Sequence, residues 1–138
     1  METKIIHFGA DLLDCNVEKA GVVFYSITNF YSWLNIIDEL LRLDKRLSSV
    51  KREWNQVSTR LRKLNDIRVR LAHQTAYFTD LSFSDMCLRP VREDRRNKSQ
   101  NSSILRVEEI VEFTIASMDM TQELTVLIDR LRKARMAL

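Results

Sequence analysis

Arg68 and His73 stand five residues apart in the stretch NDIRVRLAHQTAY, Asn65 to Tyr77, and His73 is one of two histidines in the chain. An imidazole, with an unperturbed pKa of about 6.5, can take or give a proton at neutral pH, and a guanidinium is a permanent cation suited to phosphate. Together they suffice for one reaction that brings its own nucleophile. An RNA strand carries a 2′-hydroxyl beside each phosphodiester, so a protein need only accept that proton, stabilise the charge growing on the phosphate and protonate the leaving oxygen. The sequence offers little other chemistry. His7 and His73 lie far apart, Cys15 and Cys87 are isolated, and no carboxylates cluster at metal-ligand spacing. There is neither a Gly-rich phosphate loop nor a Gly-flanked serine. No metal and no cofactor are expected.

These residues must be held by a helix. From about Val50 to about Tyr77 apolar residues recur at Val50, Trp54, Val57, Leu61 and Leu64, and the next member of the series is Arg68, followed by Leu71. A guanidinium in an apolar seam is costly to bury, so Arg68 is expected to have a partner or to face a cleft. At about 100° per residue, Arg68 and His73 lie about 140° apart around a regular helix and do not share a face. Asp66, Arg70, His73 and Tyr77 do share one. Arg70 and His73, at i and i+3, therefore form a second candidate working pair, with Asp66 orienting it and Asn65 as a further polar neighbour. A structural reading stands beside these. Arg68 pairs with an acidic side chain, His73 ends the helix where the dipole favours it, and Asn65 and Asp66 face solvent.

The Arg-x-x-x-x-His spacing in the context NDIRVRLAH, near the end of a long helix in a small helical chain, resembles the HEPN superfamily (higher eukaryotes and prokaryotes nucleotide-binding). The resemblance implies a HEPN-like helical bundle of three long helices plus one or two short ones. It also implies a metal-independent endoribonuclease in which the arginines and histidines of two protomers meet at a homodimer interface, with Arg68 and His73 as the catalytic pair. Many members are toxins or defence and stress RNases, so a cognate antitoxin or other protein partner is a further expectation. The residue after the arginine, often Asn in that family, is Val69 here. A toxin branch places a tyrosine two residues beyond the histidine, where this chain has Thr75.

Composition agrees with an all-α chain. Among 138 residues there are two Gly and one Pro, too few turn-formers for an all-β or α/β fold, while 45% are apolar and 30% charged, as in an amphipathic bundle. The length suits one domain, 1–138, with a single modest core. A first long helix begins after Asn16, a candidate N-cap, and carries Ala20, Val23, Phe24, Ile27, Phe30, Tyr31, Leu34, Ile37 and Leu41 without a break. Val22, Tyr25, Trp33, Ile36 and Leu40 lie off that stripe, so this helix is central or buries a side against another subunit. A turn is expected over LDKRLSSV, Leu43 to Val50, and a short extra helix over the first fourteen residues. A last helix runs from about Leu105–Val107 to the C-terminus with Val107, Ile110, Val111, Thr114, Ile115, Met118, Leu124, Ile128 and Leu131 on its buried face.

The net charge of +3 is concentrated in RPVREDRRNK, Arg89 to Lys98, which has five basic and two acidic residues and runs into the polar NKSQNSS. This predicts a basic loop at about 79–104, and Arg89, Arg92, Arg95, Arg96 and Lys98 are candidate RNA-backbone contacts. No apolar run reaches the roughly 18 residues of a membrane span, so no membrane is expected. With no signal-peptide core at the N-terminus and no cysteine framework, the expected setting is reducing and cytoplasmic.

Overall fold

The computed structural model describes residues 1–78, 86–90 and 105–136. These residues are mostly helical. In chain order they form α1 (Glu2–Leu13), α2 (Val17–Tyr25), α3 (Phe30–Leu43), a single 3₁₀ turn (Lys45–Leu47), α4 (Ser48–Ala72), strands β1 (Gln74–Phe78), β2 (Met86–Pro90) and β3 (Leu105–Arg106), and α5 (Val107–Met136). Two compact units lie within the chain, one of Met1–Arg62 with Ser117–Leu138 and the other of Lys63–Ala116.

The first unit is helical and its core is aromatic. α1 is the short extra helix, ended by Asp14 in the left-handed region with φ 53°. Asn16 caps α2 as expected, its side chain accepting from the Lys19 N–H at 2.9 Å. The uninterrupted helix from Val17 to Leu41 does not form. It breaks at Ser26–Asn29, where the Asn29 side chain accepts from the Tyr31 N–H at 2.9 Å and starts α3. Asn offers its oxygen to the unpaired N–H groups of a first turn, which is enough to restart the helix in a new direction. The Trp33 indole N–H closes the break by donating to the Ile27 carbonyl at 2.8 Å.

Packing follows from this break. Phe24 meets Trp33 edge-on at 5.5 Å, and Phe8 stacks on the fully buried Trp54 at 5.2 Å. Gly9 permits the approach of α1 to α2, because a Cβ there would stand 2.5 Å from Phe24 Cε2 and 2.7 Å from its Cζ. Asp38 joins α3 to α4. Its two oxygens accept from the Trp54 indole at 2.5 Å and from Arg62 at 3.0 Å, and the Arg62 guanidinium lies 5.5 Å from the centre of the Tyr31 ring. The C-terminal part of α5 is fixed by Arg60 to Glu123, Arg130 to Glu53 at 2.5 Å and Arg132 to Asp11 at 2.8 Å. Arg135 donates to the carbonyls of Asp11 and Leu12 at the end of α1, filling acceptors that a helix C-terminus leaves open.

In the second unit the chain leaves α4 and turns into strands. β1, β2 and β3 form an antiparallel sheet in that order, with Gln74 opposite Pro90, Thr75 opposite Arg89 and Phe78 opposite Met86, while Cys87 pairs with Arg106. The helix expected to reach Tyr77 stops at Ala72, and the basic loop expected over about 79–104 contains the strand Met86–Pro90. QTAYF and MCLRP each carry three apolar residues in a row, Ala76 to Phe78 and Met86 to Leu88, runs too short to stand out beside a 25-residue helix. Pro90 ends β2, where a missing N–H costs least.

The burial of α5 is divided. Leu124, Ile128 and Leu131 are buried as expected, together with Met120 and Leu127. Val107, Val111, Ile115 and Met118 are exposed instead, at 41%, 51%, 54% and 64%, and Thr114 is exposed as well. The spacing of apolar residues defines a side of a helix, but not whether anything covers it. On α2, Val22, Val23 and Tyr25 are likewise exposed, so Val23 leaves the expected stripe.

Candidate functional site around the end of α4

The seam of α4 is buried through Val50, Trp54, Val57, Leu61 and Leu64. Beyond Leu64 the cover thins: Ile67 and Leu71 are half-buried, and Arg68, Val69, Ala72 and His73 are exposed. Arg68 therefore occupies the seam position without being buried there. The desolvation that would have demanded a partner or a cleft is not present.

His73 is the junction between α4 and β1. Its backbone N–H still reaches back into the last turn, to the carbonyls of Val69 at 3.2 Å and Arg70 at 3.3 Å, so helical geometry persists up to this residue. The five steps from Arg68 to His73 thus keep a rotation of about 140°. The two side chains are brought to the same end of one helix and to different sides of it. Arg70 is half-buried and Asp66 exposed. Both make interactions of their own, as does Arg68. Tyr77, placed on the His73 face while the helix was expected to continue, belongs to β1 instead.

Asn65 departs most from expectation. It was expected to face solvent as an ordinary helix residue, yet it is buried, with 4% of its surface accessible, and its Oδ1 has no hydrogen-bond partner. The signal was in the spacing. Trp54, Ser58, Leu61 and Asn65 follow one another at four, three and four residues, and all four are buried. They form a second edge of the seam, in which a serine and an asparagine alternate with large apolar residues.

Of the candidate RNA contacts, Arg89 lies in β2 opposite Thr75, two residues after His73. Arg92, Arg95, Arg96 and Lys98 lie outside the described residues. Among the described residues no three of His, Cys, Asp and Glu form a group that could hold a metal ion, and no helix is long and apolar enough to cross a membrane. In the first unit a groove of about 670 Å³ runs along α4 and α5, lined by Glu53, Arg60, Glu123, Val126 and Arg130 among others. It contains neither Arg68 nor His73, and four of its charged residues, Glu53, Arg60, Glu123 and Arg130, are already joined in the two α4–α5 ion pairs.

Compared with known proteins, the chain matches no protein-family model, no curated protein and no solved structure.

Proposed function

We propose that this protein is a metal-independent endoribonuclease of the HEPN type that cleaves RNA by attack of the 2′-hydroxyl on the adjacent phosphate. His73 takes the proton from that hydroxyl and returns one to the leaving oxygen, and Arg68 holds the phosphate and the negative charge that develops on it. The observation that carries this reading is the exposure of both residues at the end of α4, where the apolar seam runs out. A basic and a proton-transferring side chain there meet solvent, and RNA, without opening the core.

Their rotation of about 140° around the helix bears on assembly. One chain offers its arginine and its histidine in different directions, which favours a homodimer in which the Arg68 of one copy works with the His73 of the other. Cytoplasmic action, and a role as a toxin or defence RNase held by a protein antitoxin, belong to the same proposal.

The test is cleavage of single-stranded RNA by the purified full chain in excess EDTA. Wild type is expected to cut, and His73→Ala to lose about a hundredfold or more while its circular dichroism is unchanged. A wild type that leaves RNA intact under these conditions, or a variant that cuts equally well, ends this reading.

The exposed apolar residues Val107, Val111 and Ile115 of α5 favour a second reading, a non-catalytic helical dimerisation or adaptor module. That module would bind its partner and leave RNA untouched.

A further inference from the structure

A second groove of the first unit, of about 590 Å³, opens where α1, α3 and the 3₁₀ turn meet the last turns of α5. Leu40, Leu43 and Leu47 line it, with Leu47 fully buried and Leu43 71% exposed. Beside these leucines stand Lys45, Arg46 and Arg135, three cations against the one carboxylate of Asp44. Arg46 holds that carboxylate and Arg135 donates to the carbonyls of Asp11 and Leu12, while Lys45 is exposed and joins no ion pair within the described residues. The excess positive charge calls for an anion, and the leucines call for apolar surface on the same ligand. An RNA strand answers only the first, since among the described residues no aromatic side chain lines the groove to stack a base.

The chain carries an acidic apolar surface of its own. On α5 the exposed Val107, Met118, Val111 and Ile115 fall within an arc of about 80°, and Glu108, Asp119 and Glu112 occupy the adjoining arc out to about 140°. Glu108 and Glu112 are exposed and enter no ion pair within the described residues. The ridge is therefore apolar along its crest and negative along one side.

We propose that the acidic apolar ridge of α5 in one copy docks in the basic leucine groove of a second copy. Arg135 of the groove belongs to α5 itself, and a helix does not fold back onto its own last turns, so the ridge comes from another copy. Val111 and Ile115 lie on the leucines, and Glu108 and Glu112 face Lys45 and Arg46. Apolar anchors repeated at helical spacing are how an amphipathic helix seats in a groove, and the opposite charges fix its orientation. An antiparallel pair of ridges would instead set the two acidic sides against each other. The contact joins unlike surfaces, and two copies that each seat a ridge in the other's groove close into a dimer. It stands whether or not the chain cuts RNA.

Analytical ultracentrifugation of the full chain and of mixed variants, without RNA, tests the contact. Val111→Lys with Ile115→Lys removes the ridge, and Leu43→Glu with Lys45→Glu removes the groove; all four positions are exposed, so circular dichroism is expected to match wild type. Either variant alone is expected to weaken self-association about tenfold or more. Their equimolar mixture is expected to form a 1:1 complex, because the intact ridge of one meets the intact groove of the other. A monomeric wild type, a groove variant that associates as wild type does, or a mixture that forms no complex overturns the proposal. Charge inversion gives a second check that leaves Leu43 in place. Lys45→Glu with Arg46→Glu, or Glu108→Lys with Glu112→Lys, is expected to weaken association, and all four changes in one chain to restore it. No recovery in that chain counts against the contact, as does a groove whose variants lose RNA binding while wild type stays monomeric.

Discussion

Asp44 is the residue whose charge the fold most plainly manages. It follows α3, caps the 3₁₀ turn by accepting from the Arg46 N–H at 3.1 Å, and holds the Arg46 guanidinium at 2.8 Å through each of its two oxygens. The side-chain bonds from Arg46 lower its pKa, more than desolvation raises it, with smaller contributions from the Arg46 backbone N–H and from the charges of Arg46 and Arg135. A carboxylate lowered in the folded state contributes stability that is present above its unfolded value of 3.8 and is lost as pH falls through the lower folded value. A carboxyl NMR titration is expected to place Asp44 below 3.8, and Arg46→Ala to move it back up toward the ordinary range. No upward movement in the variant would show that another group sets the value. At this scale the sequence was partly legible: Arg68 and His73 could be named from type and spacing. Their exposure could not, because an apolar series tells which side of a helix is buried and not where along it the cover stops. Asn65 was misplaced for the complementary reason, since a polar residue at a buried spacing reads as solvent-facing until the spacing is given precedence over polarity.

Among the elements, the short N-terminal helix, the turn after Leu43 and the long α4 and α5 could all be read from periodicity and caps. The break between α2 and α3 could not, because no Gly or Pro marks it; the signal was the Asn29 cap, at the end of the short polar stretch Ser26, Thr28 and Asn29. The strands were missed because five-residue segments carry too few periods to compete with the helix that precedes them. Gly9 is the element-scale test. The α1–α2 approach is set by its missing side chain, so Gly9→Ala is expected to force the Phe24 ring aside. The variant should lose about 1–3 kcal/mol of stability in denaturant unfolding, although alanine is the better helix former. A variant more stable than wild type would mean that Phe24 is not held where α1 and α2 meet.

For the whole molecule, length and composition indicated a mostly helical chain and no membrane-spanning helix, and the described residues agree. What they could not indicate is the division of the 138 residues into two compact units, since the first of these draws its residues from both ends of the chain. In the second unit, Val107, Val111 and Ile115 follow one another at four-residue steps and remain exposed. Apolar residues repeated at that spacing suit a helix of another copy, the assembly that the divergence of Arg68 and His73 also favours. The double variant Val111→Lys with Ile115→Lys is expected to keep its helicity and to shift from dimer to monomer in analytical ultracentrifugation; a dimer that survives both charges places the interface elsewhere. The central claim is the reaction itself, and the chemistry of its products tests it most directly. The 3′ ends of RNA cut in EDTA should carry 2′,3′-cyclic phosphate, because the neighbouring hydroxyl is the nucleophile. Ends bearing a free 3′-hydroxyl would require water as the attacking group and would contradict the account.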